Sequence, residues 1–237
     1  MTTTIDPVIL ATIQAAPVPY DLFREVHKGL RLALFDLTVT IGSADCTDAL
    51  ARDRVVAGTH ALVSLLHSHH GHEDGFVKPV LEMVAPRVSA IVDGAHADVD
   101  EALAEIEANA DLLGASDGAD AVVLGLDLYH RVALFVASYL AHMAYEEGEV
   151  MQTLRDALTV AELFTLDMEL RASIPLDKLL AFAATMLPAI NAEERTAMLG
   201  GLRAGAPAEV FEQVRAVAAR RLDPQDYRAV AVRLGLN

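Results

Sequence analysis

The chain has 237 residues, 53% of them hydrophobic but only 5% aromatic, with no tryptophan. Such a composition supplies a sizeable core and suits packed helices better than a β-sandwich. A formal net charge of −16 argues against nucleic acid and anionic membrane surfaces as partners.

The N-terminal stretch MTTTIDPVILATIQAAP has neither a basic start nor a long apolar core, so no signal peptide is expected. A helical period of about 3.6 residues then dominates. It predicts a first long helix over residues 19–41, stopped by Gly42-Ser43. Asp45 or Thr47 caps a second, which runs to about residue 84. Pro86 fits the first turn of a third helix, which ends near Leu113-Gly114. Ser116-Asp117-Gly118 has loop chemistry, and a fourth helix follows over about 119–158. Residues 121–145 are the most apolar stretch, but Asp127, His130, Arg131 and His142 interrupt it, so no transmembrane span is expected. Short connections between long helices predict an all-α, up-down-up-down four-helix bundle, without an internal repeat of fixed period.

Beyond about residue 160 the helices shorten, punctuated by Pro175, Pro188, Pro207 and Pro224. Asn191 with Glu194 forms a capping signal, and Asp223 caps a helix that starts on Pro224. The charge balance shifts as well. Residues 1–160 carry 9 Lys and Arg against 24 Asp and Glu, and residues 161–237 carry 9 against 10, so the net falls from −15 to −1. The expected organisation is a bundle over 17–158 and a C-terminal helical appendage over 161–237, which packs on the bundle or forms a homodimer. Arg203, Arg215, Arg220 and Arg221 are expected on its solvated face. The lone Cys46 excludes an internal disulfide and CxxC motifs, so a reducing cytoplasm is the simplest compartment.

The stretch LLHSHHGHEDGF (65–76) carries four histidines and two acids. On a helix, positions four apart differ by only about 40°. His69 and Glu73 therefore share a face, and so do His142 and Glu146 on the fourth helix. One H-x-x-x-E pair reads as a surface i,i+4 contact. Two such pairs on two long helices, with His27 on the first helix and His96 on the third, read as a ligand set for iron, manganese or zinc. The levels of these residues agree along the helices, except that His96 and His142 are expected to miss by roughly 10 Å. On the helical wheel His72 falls beside the set, His70 is interfacial or exposed, and His67 is on the surface. His60 reads as structural, His130 as no ligand, and Cys46 as inert. Met143 and Tyr145 are expected to pack, with Tyr145 close enough to donate a hydrogen bond. No E-x-x-H, H-E-x-x-H, G-x-G-x-x-G, P-loop or G-x-S-x-G occurs.

Four segments, Glu25-Val26-His27, HHGHEDGFVKPVL (69–81), His96 and HMAYEEGEV (142–150), together resemble the hemerythrin-like, HHE cation-binding family. The resemblance implies a bundle over roughly 17–158 holding a non-haem di-iron centre. His27, His69, Glu73, His96, His142 and Glu146 are then its ligands, and the two glutamates bridge. It implies a small gas or peroxide as the ligand, with O2, NO or peroxide bound, sensed or reacted with. Hemerythrins proper carry a second histidine four residues after the one on the third helix, and here that position is Asp100. Asp100, His72 or water would complete the set, which favours sensing or reactivity over dedicated oxygen carriage. Two alternatives stand beside this reading. One is an iron-responsive regulatory module. The other is an oxidase or oxygenase acting on a small organic substrate, so enzymatic turnover is left open.

Overall fold

The computed structural model describes residues 7–15 and 18–236. The expected bundle start at residue 17 and part of the stretch read for a signal peptide lie outside the described residues. Those described are helical, with no strand among them. The α-helices are α1 (Pro7–Gln14), α2 (Arg24–Ser43), α3 (Ala49–His72), α4 (Lys78–Val84), α5 (Pro86–Gly114), α6 (Gly118–Tyr145) and α7 (Met151–Ala157). They continue with α8 (Val160–Ser173), α9 (Leu176–Ala189), α10 (Ala192–Gly205), α11 (Ala208–Arg221) and α12 (Pro224–Arg233). No helix was predicted where α1 lies.

Two of the predicted long helices are each divided by a π-helical turn. Glu73–Val77 joins α3 to α4, and Glu146–Val150 joins α6 to α7. In each, an amide bonds the carbonyl five residues back: Lys78 to Glu73, and Met151 to Glu146. At the first turn Pro79 contributes, because its ring excludes a regular α-turn and it has no N–H to donate. The wider turn keeps positions four apart on one face. His69, Glu73 and Val77 thus all point inward, as do His142, Glu146 and Val150. π-turns of this kind concentrate at functional sites.

The chain forms two compact units. The first contains residues 1–23 and 34–173. Within it α5 packs against α3, α4 and α6 as part of a helical bundle. Asp48 caps α3 by accepting from the Leu50 amide at 3.1 Å. The α5–α6 reversal is centred on Gly118, whose φ of +51° is the left-handed conformation that glycine tolerates. Asn109 bonds Asp127, and Glu105 pairs with Arg131, each pair symmetric about residue 118. That register removes the level mismatch expected between His96 and His142. An apolar cluster of Phe23, Val77, Leu81, Val92, Val150 and Leu154 includes both π-turn valines and forms a floor beneath the buried Glu73 and Glu146.

The second unit joins Arg24–Ala33 of α2 to Ile174–Asn237. Its core is Ala183, Leu187, Leu199, Val214, Val217, Ala218, Leu222 and Val230. The buried Arg195 donates to the Leu187 carbonyl and to Asp226, each at 2.7 Å. Asn191 and Glu194 make the expected capping box, and Asp223 caps α12.

By length and composition alone the helical stretch Gly118–Ala157 could cross a membrane, its most apolar 18-residue window having a mean hydropathy of 1.5. It carries the buried His142 and Glu146 and packs α6 against α5, which is how a core helix of a bundle is built.

Candidate metal centre

Three elements of the bundle bring five of the predicted residues together. α3 and its π-turn supply His69 and Glu73, α5 supplies His96, and α6 with its π-turn supplies His142 and Glu146. All five are buried. His69 Nε2 lies 3.1 Å from Glu73 Oε1, and His142 Nε2 lies 3.1 Å from Glu146 Oε1. His96 stands between the two carboxylates, its Nε2 3.5 Å from Glu73 Oε2 and 3.5 Å from Glu146 Oε1. The two oxygens of Glu73 therefore face imidazoles from different helices. His27 is fully buried on α2, in the segment Arg24–Ala33.

Neither oxygen of Glu73, nor Nε2 of His96 or His142, has a hydrogen bond. At 3.5 Å, the His96 contacts are ion-pair distances rather than hydrogen bonds. Buried polar atoms are otherwise almost always hydrogen-bonded, and leaving them bare costs about 1–3 kcal/mol each. A cation among them would satisfy nitrogens and oxygens together. Glu73, His96, His142 and Glu146 present one ligand atom each, all within 4.8 Å of one another. So do His70, His96 and His142. The donor set, imidazole with carboxylate, suits iron, manganese or zinc.

The outer contacts orient the inner ones. His96 Nδ1 donates to Asp74 Oδ1 at 3.0 Å, which turns Nε2 toward the centre. Asp74 directly follows Glu73, the acid of the first H-x-x-x-E pair. His70 Nε2 pairs with the Tyr139 hydroxyl at 3.0 Å. Burial raises the Tyr139 phenol well above its ordinary range.

Charge is held by protons where no cation sits. Burial, then the neighbouring Glu146, pushes the Glu73 carboxyl up to about 8. Burial acts to lower His96, but the Glu146 and Glu73 carboxylates outweigh it and raise the imidazole to about 10. Burial, then the His96 and His142 imidazoles, lowers His70 to about 3.

The structure corrects several expectations at the periphery. His70, expected to be interfacial or exposed, is 3% exposed, with its ring stacked on His96 at 4.4 Å. Asp100 is exposed and pairs with His67 at 3.2 Å, and His72 bonds the Ser68 carbonyl of its own helix. Neither belongs to the candidate ligand groups. The tyrosine at the centre is Tyr139, whereas Tyr145 packs on the apolar floor. Tyr139 lies three residues before His142, on the same helical face, and that spacing was the available signal. His60 lies apart, bonded to Glu107 and Asp111, and His130 is exposed. Met143 and Cys46 are buried, as expected.

A cavity of about 10 Å³ adjoins the centre, lined by Glu73, Asp74, His96 and Glu146 together with apolar side chains including Phe23 and Val92. It is about the space of one water molecule.

Residues 18–154, more than half of the chain, match the family model described as "Hemerythrin HHE cation binding domain". No curated protein and no solved structure matches the chain.

Proposed function

The chain belongs to the hemerythrin HHE cation-binding family, and on that premise we propose that its bundle holds a non-haem di-iron centre that binds, senses or reacts with O2, NO or peroxide. The observation that carries this reading is the posture of Glu73. One oxygen faces His69 and the other faces His96, as a carboxylate bridging two metals requires. His69 would hold one metal, His96 and His142 would hold the other, and Glu73 and Glu146 would be shared. His27, which falls within the matched region, is the sixth ligand of this reading. Manganese or zinc fits the same donors.

A bound iron pair would supply redox-active coordination positions for a small ligand. The chain's own groups shape access to them. The apolar floor excludes water, and Asp74 holds the His96 ring in place. The adjoining cavity of about 10 Å³ matches a diatomic gas or peroxide far better than an organic substrate, which favours the gas and peroxide reading over an oxygenase. The frame is an up-down-up-down four-helix bundle over 17–158, followed by the appendage over 161–237. The protein is cytoplasmic and engages neither nucleic acid nor membrane, a reading supported by its charge of −16. Its C-terminal helices form a homodimer, which light scattering on the full chain tests.

Elemental analysis by ICP-MS on aerobically purified protein, with an ultraviolet–visible spectrum of the same sample, tests the centre. About two irons per chain and a near-ultraviolet charge-transfer band are expected. A single zinc, or no metal, refutes the di-iron reading.

A further inference from the structure

We propose that His70 is itself a metal ligand, joining His96 and His142 as the third imidazole of one metal position. The inference rests on the two-metal reading above and deepens it.

Three observations carry it. The imidazoles of His70, His96 and His142 come from α3, α5 and α6, and each offers a ring nitrogen within 4.8 Å of the others. The His70 ring stacks on His96 at an interplanar angle of 14° and meets His142 edge-on at 5.6 Å. Burying their ring nitrogens carries a desolvation cost that a cation in the space they enclose would offset. Finally, His70 Nδ1 is buried and has no hydrogen bond; the nearest carboxylate, Asp100, is 3.9 Å away.

The assignment also balances the donors. His69 would serve one metal. Without His70 the other would be held by only two imidazoles, and with it by three together with the two shared carboxylates. The competing role for His70 is purely structural, as the partner of the buried Tyr139 hydroxyl.

Cobalt(II) titration of the metal-free full chain separates the two roles, read by bound metal after desalting and by the cobalt d–d absorption. Wild type is expected to take up two cobalt ions. His70→Gln keeps a side chain able to bond Tyr139 but has no ring nitrogen. It is expected to retain one ion and to bind the other more than about 100-fold more weakly, beyond the roughly 10–100-fold cost of losing an outer-shell contact. The d–d bands of the weakened ion should change in shape and intensity. His72→Ala should match wild type.

Two ions bound by His70→Gln within 100-fold of wild type, with unchanged d–d bands, would reduce His70 to a partner of Tyr139 and overturn the proposal. An equal loss in His72→Ala would overturn it too. Should His70→Gln lose its helicity by circular dichroism, His70→Ala with free imidazole is the second variant. Recovery of the second ion's spectrum supports the role, and no recovery refutes it. A wild-type chain that binds one cobalt or none fails the two-metal reading itself, and His70's role falls with it. A wild type with two ions and an unaltered variant fails the His70 assignment alone.

Discussion

Metal uptake by this centre should release about two protons per chain near neutral pH. Glu73, raised to about 8, and His96, raised to about 10, both hold a proton in the metal-free folded chain at pH 7. A carboxylate and an imidazole ligate metal only after those protons leave. Release of two protons corresponds to an affinity that rises by up to about 100-fold per pH unit near pH 7, and loss of the Glu73 proton above about 8 should relax the slope toward about tenfold per unit. Isothermal titration calorimetry with cobalt(II), run at each pH in two buffers of different protonation enthalpy, counts the protons directly. Release of less than half a proton at pH 7 would show that Glu73 is already charged and His96 already neutral in the metal-free core, and proton uptake would then not be how the chain tolerates burying them.

The same protons set the stability of the metal-free chain. Both groups have folded pKa values raised above their ordinary 4.5 and 6.5, so the stabilisation they give is complete below those ordinary values and is lost as pH climbs through about 8 and then about 10. Thermal melts of metal-free protein from pH 5 to 10 should show Tm falling with pH, and Glu73→Gln should remove the part lost near pH 8 while also abolishing metal uptake. His69→Ala and Glu146→Ala should strip metal on ICP-MS, whereas His60→Ala should keep it and cost under about 1 kcal/mol, since its partners Glu107 and Asp111 are exposed; loss of metal in His60→Ala with retention in His142→Ala would refute the placement of the site. Gly125→Ala puts a methyl 2.5 Å from Cys46 Sγ, which should cost about 1–3 kcal/mol in a denaturant melt and be partly rescued by Cys46→Ala. Chelation of metal-loaded protein should lower Tm, since a ligand at 1,000 times its Kd stabilises by about 4 kcal/mol; an unchanged Tm would mean the site was empty before chelation.

The bundle helices were legible because their punctuation is local. Pro86 opens α5 and Gly114 ends it, and Asn191 with Glu194 caps α10, all as the sequence predicts. The π-turns were not legible, because shifting a hydrogen bond by one residue leaves no mark in composition. Once both are seen, they align a nine-residue pattern, H-x-x-x-E-[DE]-G-x-V, at 69–77 and 142–150. No repeat was expected because this one has no fixed period. His70 was misplaced for a different reason. A wheel sets it about 100° from His69 and so assigns one of the two to the surface. A helix enclosed by its bundle has an interior arc at least that wide, and α3 buries both residues. The α5–α6 register depended on Gly118 adopting a positive φ, a conformation that glycine permits but sequence does not dictate.

These elements together show why the centre sits where the helices widen. An α-helix carries i and i+4 side chains about 40° apart, so three residues in a row drift off a narrow interior face. On the proposed reading the chain needs such a row twice: an imidazole to bind, a carboxylate to share and a valine to seal the floor. A π-turn between the carboxylate and the valine holds that row inward at 69–77 and again at 142–150, and Val77 and Val150 meet in one apolar cluster. The two carboxylates are thereby driven into a core where neither is comfortable as a free anion. Glu73 takes up a proton, and His96 becomes a cation between the pair. On the proposed reading a dicationic metal would do the work of those protons with stronger and more directional bonds. The cost of burying these groups in the metal-free bundle would then be what gives the site its affinity. The two proposed readings, a gas-reactive centre and a metal-gated module, would then be two uses of one geometry, separated by whether the bundle keeps its helicity when the metal leaves.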